Sequence, residues 1–140
     1  MFGKLFKTAK AVHHQNLMEA IVAGSMLVAA ADGTVEKSEL DKLDKLLTSN
    51  ENLSAFKPGD IRKVISRYQN VLEADFGVGQ QKMMKELADI SDNPDHCEEV
   101  FLNMLAIAKS DGEIEPGEKA VLTKVARSLG ISLDEYGLAA

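Results

Sequence analysis

Apolar side chains recur at three- and four-residue intervals through most of the chain, and no stretch alternates in the manner of a strand. That periodicity predicts an all-α protein. Residues 1–12 form a short basic amphipathic segment: Phe2, Leu5, Phe6, Ala9 and Val12 can share one side of a helix, with Lys4, Lys7 and Lys10 elsewhere. Gln15 to Ala31 is apolar nearly all round, through Leu17, Met18, Ile21, Val22, Met26, Leu27 and Val28. Such a helix is central and buried, and Gly24-Ser25 within it leaves room for a neighbouring helix. Asp32-Gly33 breaks it. Leu40, Leu43, Leu46 and Leu47 give the next stripe, over Lys37 to Ser49. Pro58 stands where a first helical residue belongs, ahead of Ile61, Val64, Ile65, Tyr68, Val71 and Leu72. Gly77 and Gly79 read as an interruption, followed by a helix from Gln80 to Ser91 whose Met83 and Met84 are expected as core filler. Asn93-Pro94 reads as a cap and a first-turn proline. A second central helix follows through Val100, Phe101, Met104, Leu105 and Ala108, then one through Leu122, Val125, Ala126 and Leu129 that stops at Gly130. Ser132 with Glu135 has the form of a capping box opening a last short helix. The sum is a compact bundle of about seven helices.

Two of the breaks are the same. Asp32-Gly33-Thr34-Val35-Glu36-Lys37-Ser38-Glu39 and Asp111-Gly112-Glu113-Ile114-Glu115-Pro116-Gly117-Glu118 both reduce to Asp-Gly-x-(Val/Ile)-Glu-x-x-Glu, each after an apolar helix. The copies lie 79 positions apart, and the same offset carries Ile21, Val22 and Met26 onto Val100, Phe101 and Leu105. An internal repeat of this kind implies two pseudo-twofold-related halves, near 16–50 and 95–130, inside one helical domain over 13–140.

Composition narrows the function. At 140 residues the chain has the size of one domain. Its net charge of −6 argues against a general nucleic-acid binder. The three lysines of the first twelve residues leave −9 on the remainder. With one cysteine, Cys97, there is no intrachain disulfide and no Cys-rich zinc site. No apolar run is long enough to cross a bilayer, and the N-terminus lacks the apolar core of a secretory signal. A cytoplasmic protein is expected. The basic N-terminal segment would either touch an anionic membrane surface or a partner through Lys4, Lys7, Lys10, Phe2 and Phe6, or dock on its own domain.

The repeated turns carry six carboxylates at equivalent places: Asp32, Glu36, Glu39, Asp111, Glu115 and Glu118. Each turn also matches the second half of a calcium EF-hand loop, with the glycine at position 6 and a glutamate at position 12. The first half fails. Positions 1 and 3 fall on Val28 and Ala30, and on Ile107 and Lys109, which offer calcium no side-chain oxygen. Two readings stay open. In one, the acids are structural: Glu118 and Glu39 sit at third helical positions where a carboxylate caps amides, and Asp32 and Asp111 form Asx turns. In the other, a pseudo-twofold gathers both turns at one end, and the crowded carboxylates hold a divalent cation such as calcium, magnesium or zinc.

Other chemistry is sparse. His13 and His14 are adjacent and cannot serve one metal from a single helix side, and His96-Cys97 has no ligating neighbour in sequence. There is no phosphate loop, Gly-x-Ser-x-Gly elbow or His-Glu-x-x-His.

The sequence resembles the TerB family of the bacterial tellurite-resistance system. The likeness is strongest from Ala108-Lys109-Ser110-Asp111-Gly112 through Glu118-Lys119, continues over Ala126-x-x-Leu129-Gly130 to Glu135-Tyr136-Gly137-Leu138, and spans essentially the whole chain. The resemblance implies a helical pseudo-twofold fold and a non-enzymatic role in resistance to tellurite and other stresses. Its implied partners are a TerC-type integral membrane protein and TerD-type calcium-binding proteins. It further implies metal ligands at Asp32, Glu39, Asp111 and Glu118, with Glu36 and Glu115 secondary. Ala31 replaces the second copy's Ser110, whose hydroxyl could orient a ligand, so any metal site would be asymmetric. The expected function is thus an acidic, metal-loadable adaptor or sensor, cytoplasmic and peripheral to the inner membrane. The alternative is a metal-dependent enzyme, a hydrolase or a processor of tellurium oxyanions, against which stands the lack of a general base near the turns.

Overall fold

The computed structural model describes residue 12 and residues 14–138. Among them are six α-helices and no strand: α1 Gln15–Ala29, α2 Lys37–Thr48, α3 Pro58–Ala74, α4 Phe76–Asp89, α5 Pro94–Ala108 and α6 Pro116–Leu129. Three single 3₁₀ turns complete them, at Glu51–Leu53, Lys109–Asp111 and Leu133–Tyr136.

α1 is the axis of the molecule. Leu17, Met18 and every residue from Ala20 to Val28 are buried, and the helix packs against all five others. Its apolar surface is continuous around the circumference, so each direction demands a neighbour. The tightest contact is with α5. A Cβ built on Gly24 would come within 2.7 Å of Met104 Sδ and 2.9 Å of its Cγ, so the absence of a side chain there sets how closely α1 and α5 approach. Ser25 beside it is wholly buried. α5 buries Cys97, Val100, Phe101, Met104, Leu105 and Ala108 and is the second central helix. Asn103 is also buried. Its amide donates to the Glu99 carbonyl at 2.7 Å and its oxygen accepts from Asn50 Nδ2 at 2.6 Å, which ties the α2–α3 connection to α5.

The helix boundaries follow the punctuation of the sequence. Pro58, Pro94 and Pro116 each open a helix, where a missing N–H costs nothing and φ is already helical. Asn93 Oδ1 accepts from the amides of Asp95 and His96 at 3.1 and 3.2 Å. α6 stops at Gly130, φ +69°, and Ile131 N then donates to the Ala126 carbonyl at 2.8 Å, a Schellman closure.

Two expectations are corrected. Gly77 and Gly79 do not interrupt the chain ahead of a helix at Gln80; α4 begins at Phe76 and both lie in its first turn. Asp75 caps it by accepting from Val78 N at 3.0 Å, and Gly79 lies so close to Leu72 that a Cβ would reach its backbone Cα at 2.9 Å. The glycine serves the sharp α3–α4 corner rather than breaking a helix. The last segment, Leu133–Tyr136, is a single 3₁₀ turn, and Ser132 stands at its cap position without a side-chain cap bond. It is held instead by Tyr136, whose ring meets Phe101 edge-on at 5.0 Å.

Candidate functional site

α1 and α5 run side by side in the same direction, so their C-terminal ends deliver both Asp-Gly turns to one end of the molecule. Gly33 and Gly112 have φ of +95° and +110°, a conformation that costs other residues about 1–2 kcal/mol. The turns touch: a Cβ on Gly117, in the first turn of α6, would lie 3.5 Å from the Ala31 carbonyl oxygen. Between them is a cleft of about 340 Å³. Asp32, Glu39, Asp111, Glu115 and Glu118 line it with Lys42 and Ser110, over apolar Val28, Leu43, Leu46 and Ile107. Glu36 does not line the cleft. It is the N-cap residue of α2.

The six acids are used differently. Asp32 Oδ1 accepts from Thr34 N at 3.2 Å and Thr34 Oγ1 at 3.4 Å, an Asx turn. Glu115 and Glu118 close a reciprocal capping box on α6, with Glu118 Oε1 accepting from Glu115 N at 2.9 Å. Asp111 pairs with the ammonium of Lys42, and its side chain is otherwise 81% exposed. Glu39, expected to cap α2 as Glu118 caps α6, makes no such bond: the N-terminus of α2 has no side-chain cap. Ser110 Oγ donates to the Ile107 carbonyl at 2.7 Å and is turned to the backbone rather than presented to a ligand.

Glu39 is the electrostatic centre of the group. Partial burial pushes its carboxyl above the usual carboxylate range, and the charges of Asp32, Glu36, Asp111 and Glu118 push in the same direction. Both copies of the motif therefore act on one side chain. Among the described residues, no three His, Cys, Asp or Glu side chains meet closely enough to hold a bare metal ion. The carboxylates ring the cleft instead. Carboxylates spaced around a cleft suit a hard cation that keeps part of its water, or a cationic side chain such as the one Lys42 already supplies.

Lys42 was not legible as a site residue from the motif alone. Its signal is the spacing: it lies three residues after Glu39, on the same helix face. A second polar cluster also went unseen. Arg67 Nη2 donates to Glu19 Oε1 at 2.6 Å and Gln15 Nε2 to Glu19 Oε2 at 2.8 Å, on the one polar patch of α1. Although partial burial opposes it, these bonds hold the Glu19 carboxyl below its ordinary range, while burial pushes the Tyr68 phenol up to about 12.

The remaining candidates fall into place simply. Met83 is wholly buried and Met84 packs on the core. Cys97 is buried, and desolvation raises its thiol, which disfavours the thiolate a nucleophile needs. His14 and His96, far apart in sequence, have ring centres 5.7 Å apart. Lys4, Lys7, Lys10, Phe2 and Phe6 lie outside the described residues, as does His13. Among the described residues no helix is long and apolar enough to cross a membrane.

A family model described as tellurite resistance protein TerB matches residues 18–140, nearly the whole chain. No curated protein and no solved structure matches.

Proposed function

The chain belongs to the tellurite resistance protein TerB family, and from that premise we propose that it is a non-enzymatic adaptor or sensor in the resistance and stress response, working through the acidic cleft between its two Asp-Gly turns. The observation that carries this reading is the meeting of both copies in one cleft, lined by Asp32 and Glu39 from one and by Asp111, Glu115 and Glu118 from the other, where burial and the neighbouring charges hold the Glu39 carboxyl above its ordinary range. Carboxylates that repel one another in a partly buried cleft favour whatever cation relieves them. The cleft takes a hydrated calcium or magnesium ion, with zinc as a less suited third choice for an oxygen-only donor set. Asp32, Glu39, Asp111 and Glu118 would hold it, with Glu115 beside them and Glu36 outside the lining.

With or without the ion, the lining is mixed. Carboxylates stand over Val28, Leu43, Leu46 and Ile107, which suits a partner segment presenting a basic side chain flanked by apolar ones. The partners proposed are the two classes the family resemblance implies, a TerC-type membrane protein and TerD-type calcium-binding proteins, with the basic segment at residues 1–12 assisting at an anionic membrane surface. Among the described residues no histidine lines the cleft, which fits a docking site better than an acid–base catalyst.

Calorimetry of the full chain against calcium, magnesium and zinc tests the cation arm. We expect one moderate-affinity site, weakened at least tenfold in Asp111→Asn and in Glu39→Gln. Absence of heat with all three ions, or heat that both variants leave unchanged, would end it.

A further inference from the structure

At the opposite end of the molecule from the cleft, we propose that His14 and His96 form a second, independent site for a borderline divalent transition metal: nickel, copper or zinc. The parallel packing of α1 and α5 that gathers the acidic turns at the helix C-termini must also gather the helix N-termini. There His14, at the N-cap position of α1, faces His96, at the third position of α5. Their ring centres are 5.7 Å apart and the planes are inclined by 47°. Stacked rings would lie flat on one another; these are splayed. Two metal–nitrogen bonds of about 2.0–2.1 Å each put the centres of a ligand pair at a separation of this order. Both rings reach solvent: His14 is exposed and His96 half-buried. His14 forms no side-chain cap bond to its helix. Among the described residues no third His, Cys, Asp or Glu side chain joins the pair, so the proposed site is a two-imidazole one whose remaining positions belong to water. Imidazole nitrogens select nickel, copper and zinc, whereas the oxygen-lined cleft selects hard ions. The two ends of the molecule therefore sort metals by class.

Copper(II) added to the full chain, read by electron paramagnetic resonance and competition titration, tests this. One equivalent should show coupling to two imidazole nitrogens, falling to one in His14→Ala and in His96→Ala with at least a tenfold loss of affinity, and Asp111→Asn should leave signal and affinity unchanged. Thermal melts of both histidine variants confirm folding, and His96→Gln replaces His96→Ala if that variant melts early. The proposal is overturned by no copper binding, by binding that survives both substitutions, or by binding lost in His13→Ala and retained in His96→Ala, which would place the ion on the sequence-adjacent pair.

Discussion

The two Asp-Gly turns share a motif and divide its labour in opposite ways. In the first, the aspartate is taken by its own backbone and the glutamate is released: Asp32 closes an Asx turn on Thr34, while Glu39 caps nothing and turns into the cleft. In the second, the glutamates are taken and the aspartate is released: Glu115 and Glu118 close a capping box, while Asp111 reaches across to Lys42. A repeat unit thus need not repeat its chemistry. The first copy uses Asp32 on its turn and leaves Glu39 to the cleft, while the second uses Glu115 and Glu118 on its helix and leaves Asp111, so the cleft is asymmetric although the motif that lines it occurs twice.

The comparison breaks most visibly at the residues both copies share. Gly33→Ala and Gly112→Ala should each destabilise by about 1–2 kcal/mol, because both glycines have positive φ with open space around them, so only backbone strain is added. Chemical denaturation of the two variants should give similar losses; a loss at one turn alone would show that the frames are not equivalent. The next effect separates the copies. Glu118→Ala removes half of a capping box and should lower stability by about 1 kcal/mol, whereas Glu39→Ala should not, since Glu39 caps no amide.

The smallest effect has the opposite sign. Because the Glu39 carboxyl lies above its ordinary 4.5 in the folded protein, the native state binds that proton more readily than the unfolded chain. Its contribution to stability is present below the unfolded value and is lost as pH rises through the raised folded value. Glu39→Gln should therefore raise neutral-pH stability slightly, the partial exposure of the group keeping the effect small. The gain should vanish as the pH is brought below 4.5. Melting curves of wild type and variant across that range, without divalent ions, read the difference; a constant offset at all pH values would mean that the repulsion at Glu39 is not its source.

Most of the architecture could be read from residue order. Prolines at 58, 94 and 116 mark helix starts by geometry alone, and helices apolar around their whole circumference can only be central. The adjacency of the two turns was an expectation of the repeat, and the shared cleft agrees with it. What could not be read depended on side chains choosing between equal local partners. Glu36-x-x-Glu39 and Glu115-x-x-Glu118 have the same spacing, yet only the second, where Pro116 opens the helix, closes a box. The α3–α4 corner misled because glycine marks both helix breaks and close backbone approach, and Gly79 is the latter. His14 and His96 meet through the helix pairing alone. Subtracting the repeat offset from His96 puts it at the position of Leu17, on the same end of the bundle as His14.

The sheathing of α1 has a further consequence. Its neighbours come from both copies of the repeat and from the α3–α4 corner between them, so no subset of helices can peel away without laying that apolar rod open to water. Amide protons along Ala20 to Val28 should then exchange with solvent only when the entire molecule opens, and a chain cut anywhere between α2 and α5 leaves two fragments, neither able to clothe its own central helix. The motif occurs twice, but the molecule that carries it comes apart once or not at all.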